Sequence, residues 1–286
     1  MTHRLEKGTV LSALMWGSSE LKGAGIESFR LDSEILLSEV LGLSRIQLYI
    51  NYDRPMNQRE KERYFLMIKR RKRREPIAYI LNKKEFMSLQ FYVDRRVLIP
   101  RPDTECMVEW LLKSVEISKN DKILDLGTGS GCIAVSILRN TSLKRIFVSD
   151  ISEEALLVAD RNLKVLCPDK EYILIHSSLF EKFSDSDFDL IISNPPYIKR
   201  EDLRLLAPEI TEFEPIVALD GGDSGDEIVN RLILESYSYL RRGGLIIFEH
   251  SEDFVLLENL IKDRFSVVHL GRDYSNRYRF TVLRRL

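Results

Sequence analysis

The segment Asn194-Pro195-Pro196-Tyr197, hereafter the NPPY segment, combines an amide, a rigid backbone and an aromatic ring. It follows an apolar run at 188–193 that is typical of a buried strand, which prolines cannot extend because they lack an N–H. The side chain of Asn194 offers an amide oxygen as an acceptor, and Tyr197 offers a flat apolar face. These features predict a slot for a planar group that carries an NH2, such as an amide or the exocyclic amine of a base. A proline-rich loop that only closes a strand is the alternative.

A second motif is the loop at 125–131, hereafter the glycine loop, which follows a predicted strand and opens a helix. Its glycines allow a sharp turn and a close approach to a ligand. Its spacing departs from the dinucleotide fingerprint, which disfavours a nicotinamide oxidoreductase, and it has no P-loop lysine. Asp125 would repel a pyrophosphate but would attract an ammonium group. Asp150, at the end of the next predicted strand, is placed to accept hydrogen bonds from ribose hydroxyls.

A nucleoside that carries an amino acid instead of a phosphate is S-adenosylmethionine, and this is the cofactor that we predict. A glycine-rich turn without a ligand is the alternative. The predicted cofactor contacts are Asp125, Gly127, Thr128, Gly129, Ser130, Gly131 and Asp150.

Strands and helices alternate from residue 121 onward, which predicts an α/β fold with a doubly wound, mostly parallel sheet. Two terminal runs, near 266–270 and 277–284, are expected to close the sheet as an antiparallel hairpin, and a helix is expected over roughly 252–264. In such sheets ligands bind outside the carboxyl ends of the strands, at the point where the strand order reverses. The glycine loop and the NPPY segment both follow strand ends, so we expect them to meet there.

The residues before this region have a different periodicity. Residues 1–76 are predicted to form a small helical domain, with one helix capped by Asp32 and ended by Gly42, and a second over 57–74. Residues 77–100 are predicted to form a β-hairpin linker, and 101–286 the α/β domain that carries both motifs.

Composition excludes several classes of protein. The 286 residues carry a formal net charge of −1, so direct binding to nucleic acid is not expected. The three cysteines form no Cys-x-x-Cys pair, which argues against a zinc site or a disulfide framework, and no metal is predicted. No apolar stretch approaches the roughly 18 residues of a membrane span, and the N-terminus lacks the apolar core of a signal peptide. We expect a cytoplasmic monomer. The basic run at 69–74 is either a solvated helix face or a docking surface for an acidic partner or RNA.

Several segments together resemble the HemK-type (PrmC-type) protein-(glutamine-N5) methyltransferases, which modify peptide chain release factors. The glycine loop and the NPPY segment alone are shared with many methyltransferases, including those that act on adenine. The flanking segments are more specific. The resemblance lies in residues 74–80, 97–105, 124–131, 193–198, 213–215 and 218–222.

The resemblance implies a helical N-terminal domain that docks the substrate and a class I methyltransferase domain that methylates the glutamine of a GGQ motif. It implies catalytic roles for Asn194, Pro195 and Tyr197, and places the glutamine side chain against Asn194, Pro195, Pro196 and Tyr197. The amide oxygen of Asn194 and the carbonyl of Pro195 would accept the two N–H bonds of the glutamine amide. It also implies that Ser178, Leu179 and Asn194 contact the cofactor, with Leu179 against the adenine.

Two positions depart from the pattern of the family. An acidic residue is usual where this chain has Ser178, and Ile-Gly is common where it has His250-Ser251. A serine accepts a hydrogen bond from the adenine amine more weakly than a carboxylate does. His250 has two interpretations, a general base or a structural residue at a strand end. An adenine amino-methyltransferase acting on nucleic acid and a non-catalytic S-adenosylmethionine-binding module remain as alternative functions.

Overall fold

The computed structural model divides at residue 82, a few residues beyond the predicted end of the helical domain at residue 76. It describes residues 8–184 and 187–286. They fall into two units, the first ending at Asn82 and the second beginning at Lys83. Among the described residues, no helix combines the length and the apolar character that crossing a membrane requires.

The described part of the first unit is helical, as predicted. Its core is formed by side chains such as Leu36, Leu37, Tyr64 and Ile68, which are at most 1% exposed. The helices are α1 (Val10–Gly23), α2 (Phe29–Leu41), α3 (Arg45–Ile50), α4 (Gln58–Lys72) and α5 (Ile77–Leu81).

The sequence signals for helix ends are mostly confirmed in this unit. Gly42 adopts φ +64° and ends α2, a conformation that glycine reaches without the steric cost of a Cβ. Asn57 caps α4, because its side chain accepts from the backbone N–H of Glu60 at 2.9 Å. The prediction that Asp32 caps α2 is wrong. The helix begins at Phe29, and Asp32 lies inside its first turn with its carboxylate turned into the protein.

The carboxylate of Asp32 is held by an ion pair instead. Asp32 accepts from Arg71 Nε at 2.7 Å and from Ser28 Oγ at 2.9 Å, and both members of the ion pair are nearly inaccessible to water. The predicted basic run at 69–74 is therefore partly structural. Arg70 also pairs with Glu75, and Lys72 pairs with Glu20.

The second unit begins with the predicted hairpin, which consists of β1 (Lys84–Phe86) and β2 (Leu89–Phe91). Residues 77–81, which we predicted as part of this linker, instead form α5 of the first unit. Pro76 precedes α5, where the absence of an N–H removes no helical hydrogen bond.

A seven-stranded sheet organises the rest of the second unit. The strand order is β5-β4-β3-β6-β7-β9-β8, and all neighbours from β5 to β7 are parallel. The terminal strands pair antiparallel, which confirms the predicted hairpin. The strands are β3 (Ile123–Leu126), β4 (Arg145–Asp150), β5 (Glu171–His176), β6 (Phe188–Ser193), β7 (Leu240–Glu249), β8 (Phe265–Arg272) and β9 (Tyr278–Arg285).

Helices cover both faces of this sheet. Residues of α6 (Pro102–Ser114), α7 (Cys132–Asn140) and α8 (Glu153–Leu166) pack into one apolar cluster, and α10 (Glu227–Tyr239) and α11 (Glu258–Ile261) into the other. A short helix α9 (Pro208–Thr211) and 3₁₀ turns at Arg200–Leu205 and Ile216–Ala218 follow β6. The helix predicted over 252–264 is wrong in extent, because only α11 forms there.

We expect removal of Arg71 to destabilise the protein, because it leaves the carboxylate of Asp32 buried without its cation. Arg71→Ala should lower the free energy of unfolding by about 3 kcal/mol or more, measured by urea denaturation followed by circular dichroism. Arg73→Ala is the matched control, since Arg73 belongs to the same basic run but is exposed. Equal effects of the two substitutions would contradict a structural role for Arg71.

Candidate active site

The glycine loop and the NPPY segment meet because the strands that carry them are neighbours. Leu126, the last residue of β3, pairs with Ser193 of β6, and Ser193 Oγ donates to the Leu126 carbonyl at 2.7 Å. On the other side, Leu126 pairs with Ser149 of β4, the residue before Asp150. Three parallel strands therefore end side by side, and their loops surround one site, as the sequence predicts.

A cavity of about 460 Å³ opens at these strand ends. Most predicted cofactor contacts lie on its wall, which confirms that the sequence motifs converge, although their contacts with a cofactor stay predictions. The predicted residues that line it are Gly127, Thr128, Gly129, Ser130, Asp150, Ser178, Leu179, Asn194, Pro195 and Pro196.

Asp150 is held in a fixed orientation by backbone donors. Its Oδ2 accepts from Gly129 N at 2.8 Å and its Oδ1 accepts from Ser152 N at 2.9 Å. Each carboxylate oxygen can accept more than one hydrogen bond, so acceptor capacity remains for a ligand. Burial raises the pKa of Asp150 above its usual value, although the backbone N–H groups oppose this shift.

The predicted role of Asp125 does not match its position. Its side chain is fully buried and does not line the cavity. Its Oδ2 accepts from Thr128 Oγ1 at 2.6 Å and from Ala134 N at 3.0 Å, which ties the loop to the start of α7. Burial raises its pKa to about 7. Among the described residues Oδ1 has no hydrogen-bond partner. The carboxylate thus shapes the glycine loop from behind.

The glycine loop leaves room for a ligand to approach its backbone. Gly129 adopts φ +53°, and a Cβ on it would meet no atom within 4 Å, so the space beside this residue is open. Gly131 also has a positive φ, and its Cβ would lie 3.3 Å from Ala159, so it allows the loop to pack against α8. An open cradle beside a fixed carboxylate fits a nucleoside with a flexible amino-acid tail.

The NPPY segment is held by a chain of hydrogen bonds to a buried carboxylate. Asn194 Nδ2 donates to Thr104 Oγ1 at 3.0 Å, and Thr104 Oγ1 donates to Glu249 Oε2 at 2.6 Å. The hydroxyl of Tyr197 donates to Glu249 Oε1 at 2.9 Å. Asn194 is therefore anchored through its NH2 group, and its oxygen is the end that remains for a ligand.

A smaller cavity of about 130 Å³ lies beside the larger one. Asn194, Pro195 and Pro196 line both cavities, whereas Tyr197 lines only the smaller. The backbone after Tyr197 is fixed by a parallel bridge between Ile198 and Asp220. A Cβ on Gly221 would lie 2.7 Å from the Cα of Tyr197, so a residue without a side chain is required there.

The two departures from the resemblance fall in different places. Ser178 and Leu179 line the larger cavity, and Leu179 adopts φ +45°, a strained value for leucine. His250 lines neither cavity. Its ring nitrogens contact Thr281 Oγ1 at 2.9 Å and the Ser251 carbonyl at 2.8 Å, and burial lowers its pKa. This geometry supports the structural interpretation of His250 rather than the general base.

Two walls of the cavities were not predicted from the sequence. Leu98 and Arg101 line both cavities, and Glu214 holds their segment by accepting from Ile99 N at 3.1 Å and Arg101 Nη2 at 2.6 Å. Residues 215–218 also line the larger cavity, where Ile216 is 60% exposed. Leu98 and Arg101 lie in the motif at 97–105, and the second segment lies between the motifs at 213–215 and 218–222, which was the available signal.

The chain is similar to described families along most of its length. The model described as the PrmC N-terminal domain matches residues 12–81, and the one described as the methyltransferase small domain matches residues 103–210. The release factor glutamine methyltransferase of Geobacter sulfurreducens is 40% identical over 249 residues, which cover 87% of this chain and 86% of that protein.

Two further relatives carry the same name. The protein of Clostridium acetobutylicum is 38% identical over 85% of this chain and 86% of its own length. The protein of Leptospira interrogans is 36% identical over 97% of this chain and 98% of its own length. Identity at this level over nearly whole chains shows common descent, and the resemblance found in the motifs is confirmed. The chain belongs to the family of release factor glutamine methyltransferases.

Proposed function

We propose that this protein transfers a methyl group from S-adenosylmethionine to the side-chain amide nitrogen of a glutamine in peptide chain release factors. The observation that carries the proposal is the pair of adjoining cavities. Asn194, Pro195 and Pro196 form a shared wall between a space with the glycine loop and Asp150 and a smaller space with Tyr197. A donor in one and an amide in the other would meet at this wall.

The residues that line the larger cavity fit this cofactor. Asp150 would accept from the ribose hydroxyls, the open backbone at Gly129 would leave room for the amino-acid part, and Leu179 would pack on the adenine beside Ser178. Asp125 acts indirectly in this arrangement, by holding Thr128 and the start of α7. When bound, S-adenosylmethionine supplies an electrophilic methyl group on a sulfonium.

The shared wall prepares the glutamine amide for attack on this methyl group. An amide nitrogen is a poor nucleophile because its lone pair is delocalised into the carbonyl. The amide oxygen of Asn194 and the carbonyl of Pro195 accept its two N–H bonds, which orients the nitrogen and stabilises the positive charge that develops on it. The ring of Tyr197 packs against the amide plane. As the bond between nitrogen and methyl formed, the bond from sulfur to methyl would break and leave a neutral thioether, and the proton would pass from nitrogen to water after transfer. Positioning supplies much of the remaining rate enhancement.

The slot by itself also accepts the exocyclic amine of adenine. What favours release factors is the name shared by relatives that match 87% and 97% of this chain. We further propose that the protein is a cytoplasmic monomer whose first unit docks the release factor. Since Arg70, Arg71 and Lys72 are engaged in ion pairs, the basic run offers fewer charges for docking than its sequence indicates.

Removal of the acceptor side chain should abolish most turnover. We expect Asn194→Ala to lower kcat by about 100-fold or more, as the loss of one preorganised charge-stabilising group does in other enzymes. Transfer of labelled methyl to purified release factor measures this effect, with DNA and RNA as parallel substrates. Asn140→Ala, at the exposed end of α7, is the matched control. Near-normal turnover of Asn194→Ala would contradict the assigned role.

Ser178 is expected to limit affinity for the cofactor. Ser178→Asp restores a carboxylate beside the adenine amine, and a charge-assisted hydrogen bond should tighten binding by about tenfold. Isothermal titration calorimetry with S-adenosylmethionine measures the change in Kd. Ser178→Asn separates charge from side-chain size, because it adds the same length without the charge. Unchanged or weaker binding of the Asp variant would show that Ser178 does not face the adenine amine.

A further inference from the structure

We propose that Glu249 is a positioning residue for the reaction, which acts through Thr104 to hold the amide of Asn194 with its oxygen toward the substrate nitrogen. Glu249 touches neither cavity, so it contacts neither ligand itself. The proposal rests on the proposed function for its catalytic consequence. The orientation of the amide is a property of the protein alone.

The fold places this carboxylate directly behind the NPPY segment. Glu249 is the last residue of β7, and its neighbour Phe248 pairs with Ser193, the residue before Asn194. Thr104 lies in the first turn of α6, which packs near the same strand end. Glu249 is only 1% exposed. A buried carboxylate is costly to retain, so its hydrogen bonds must compensate for lost water.

The charge on Glu249 fixes the direction of every hydrogen bond in the chain. An ionised carboxylate only accepts, so the hydroxyls of Thr104 and Tyr197 must both donate to it. The hydroxyl of Thr104 has a single hydrogen, which Glu249 already receives. Toward Asn194 it can therefore only accept, and only the NH2 end of the amide can donate to it. The oxygen of Asn194 must point away from Thr104.

A neutral group at position 249 removes this constraint. A protonated carboxyl or a primary amide can donate to Thr104, which is then free to donate toward Asn194. The amide of Asn194 can then turn by 180° about its terminal bond and present its NH2 group to the substrate. Two NH2 groups facing each other repel, so such a protein binds the cofactor but holds the glutamine in an unproductive orientation.

Several charged groups surround Glu249 and set its ionisation. Burial raises its pKa to about 7, and Asp103 of α6 adds to this effect. Arg279 of β9 acts in the opposite direction and lowers the pKa of Glu249. The guanidinium of Arg279 also pairs with Asp273 at 3.2 Å and with Asp103 at 3.6 Å. Burial and the charge of Glu249 raise the pKa of Tyr197, which keeps its hydroxyl protonated as a donor.

The first test compares two substitutions of Thr104. Thr104→Val keeps the shape but removes the hydroxyl, and Thr104→Ser keeps the hydroxyl. We expect kcat to fall by about 10- to 100-fold in the valine variant, as for partners that orient metal ligands, and to be largely retained in the serine variant. Because Thr104 also lines the larger cavity, Kd for S-adenosylmethionine is measured by calorimetry in both variants, and kcat is compared at saturating cofactor. Equal kcat for the two variants would overturn the proposal.

The second test uses Glu249→Gln and the pH dependence of kcat. Ionisation of Glu249 increases as pH rises, so kcat of the unaltered protein should increase through about pH 7. In Glu249→Gln, kcat should be lower and this increase should be absent, with cofactor affinity unchanged. The pKa of Asp125 is also about 7, but Asp125 shapes the glycine loop, so its titration should change cofactor affinity. Measuring cofactor affinity therefore distinguishes the effect of Glu249 from that of Asp125. A variant that retains the same pH profile and kcat would contradict a role for Glu249.

A third measurement does not depend on activity. The side-chain amide of Asn194 can be followed by ¹⁵N NMR and assigned by its loss in Asn194→Asp. Thr104→Val and Glu249→Gln should both shift these signals and speed their hydrogen exchange, whereas Thr104→Ser should not. Unchanged signals in both would overturn the positioning role. If the unaltered protein methylates no release factor, the proposed function fails, and these signals still decide the orientation of the amide.

Discussion

The hydrogen bond between Asn194 and Thr104 decides which end of an amide faces the reaction. A primary amide is nearly symmetric in shape but opposite in chemistry at its two ends, and packing alone does not distinguish oxygen from NH2. In this protein the distinction comes from Glu249, two hydrogen bonds away. In the proposed mechanism, the acceptor is thus specified by a charge that lines neither cavity.

The sheet makes this arrangement possible. Parallel strands bring their carboxyl ends to one edge, so β3, β4, β6 and β7 each deliver one part of the site there. The glycine loop, Asp150, the NPPY segment and Glu249 all follow or end these strands. The buried polar groups meet across this edge, where each can find a partner from a neighbouring strand or from α6. Displacement of the end of β6 would therefore alter both cavities, because the NPPY segment lines both.

Local sequence signals were sufficient for the fold and for much of the site. Apolar runs predicted the strands, and Gly42 and Asn57 marked helix ends correctly because capping depends on a few adjacent residues. Asp32 failed as a cap because Arg71, far along the chain, competes for its carboxylate. Local signals cannot show such a partner.

Partners that are distant in the sequence also explain which residues of the site were not predicted. Thr104 and Glu249 are 145 residues apart, and only the strand order brings them together. Asp125 was expected to face a ligand because its carboxylate would attract an ammonium group, but the carboxylate is buried and accepts from Thr128 and Ala134. Glu214, which fixes the wall around Arg101, likewise lies 113 residues from its partner. Motifs locate a site, whereas tertiary contacts assign the role of each side chain.

The central claim is that the NPPY segment presents acceptors to a glutamine amide of a release factor. It is tested most directly by incubating the unaltered protein with S-adenosylmethionine and purified release factor, and locating the added methyl group by tandem mass spectrometry. We predict a single methyl group on the side-chain amide nitrogen of a glutamine. Transfer to another kind of residue, or to nucleic acid but not to the release factor, would contradict the account.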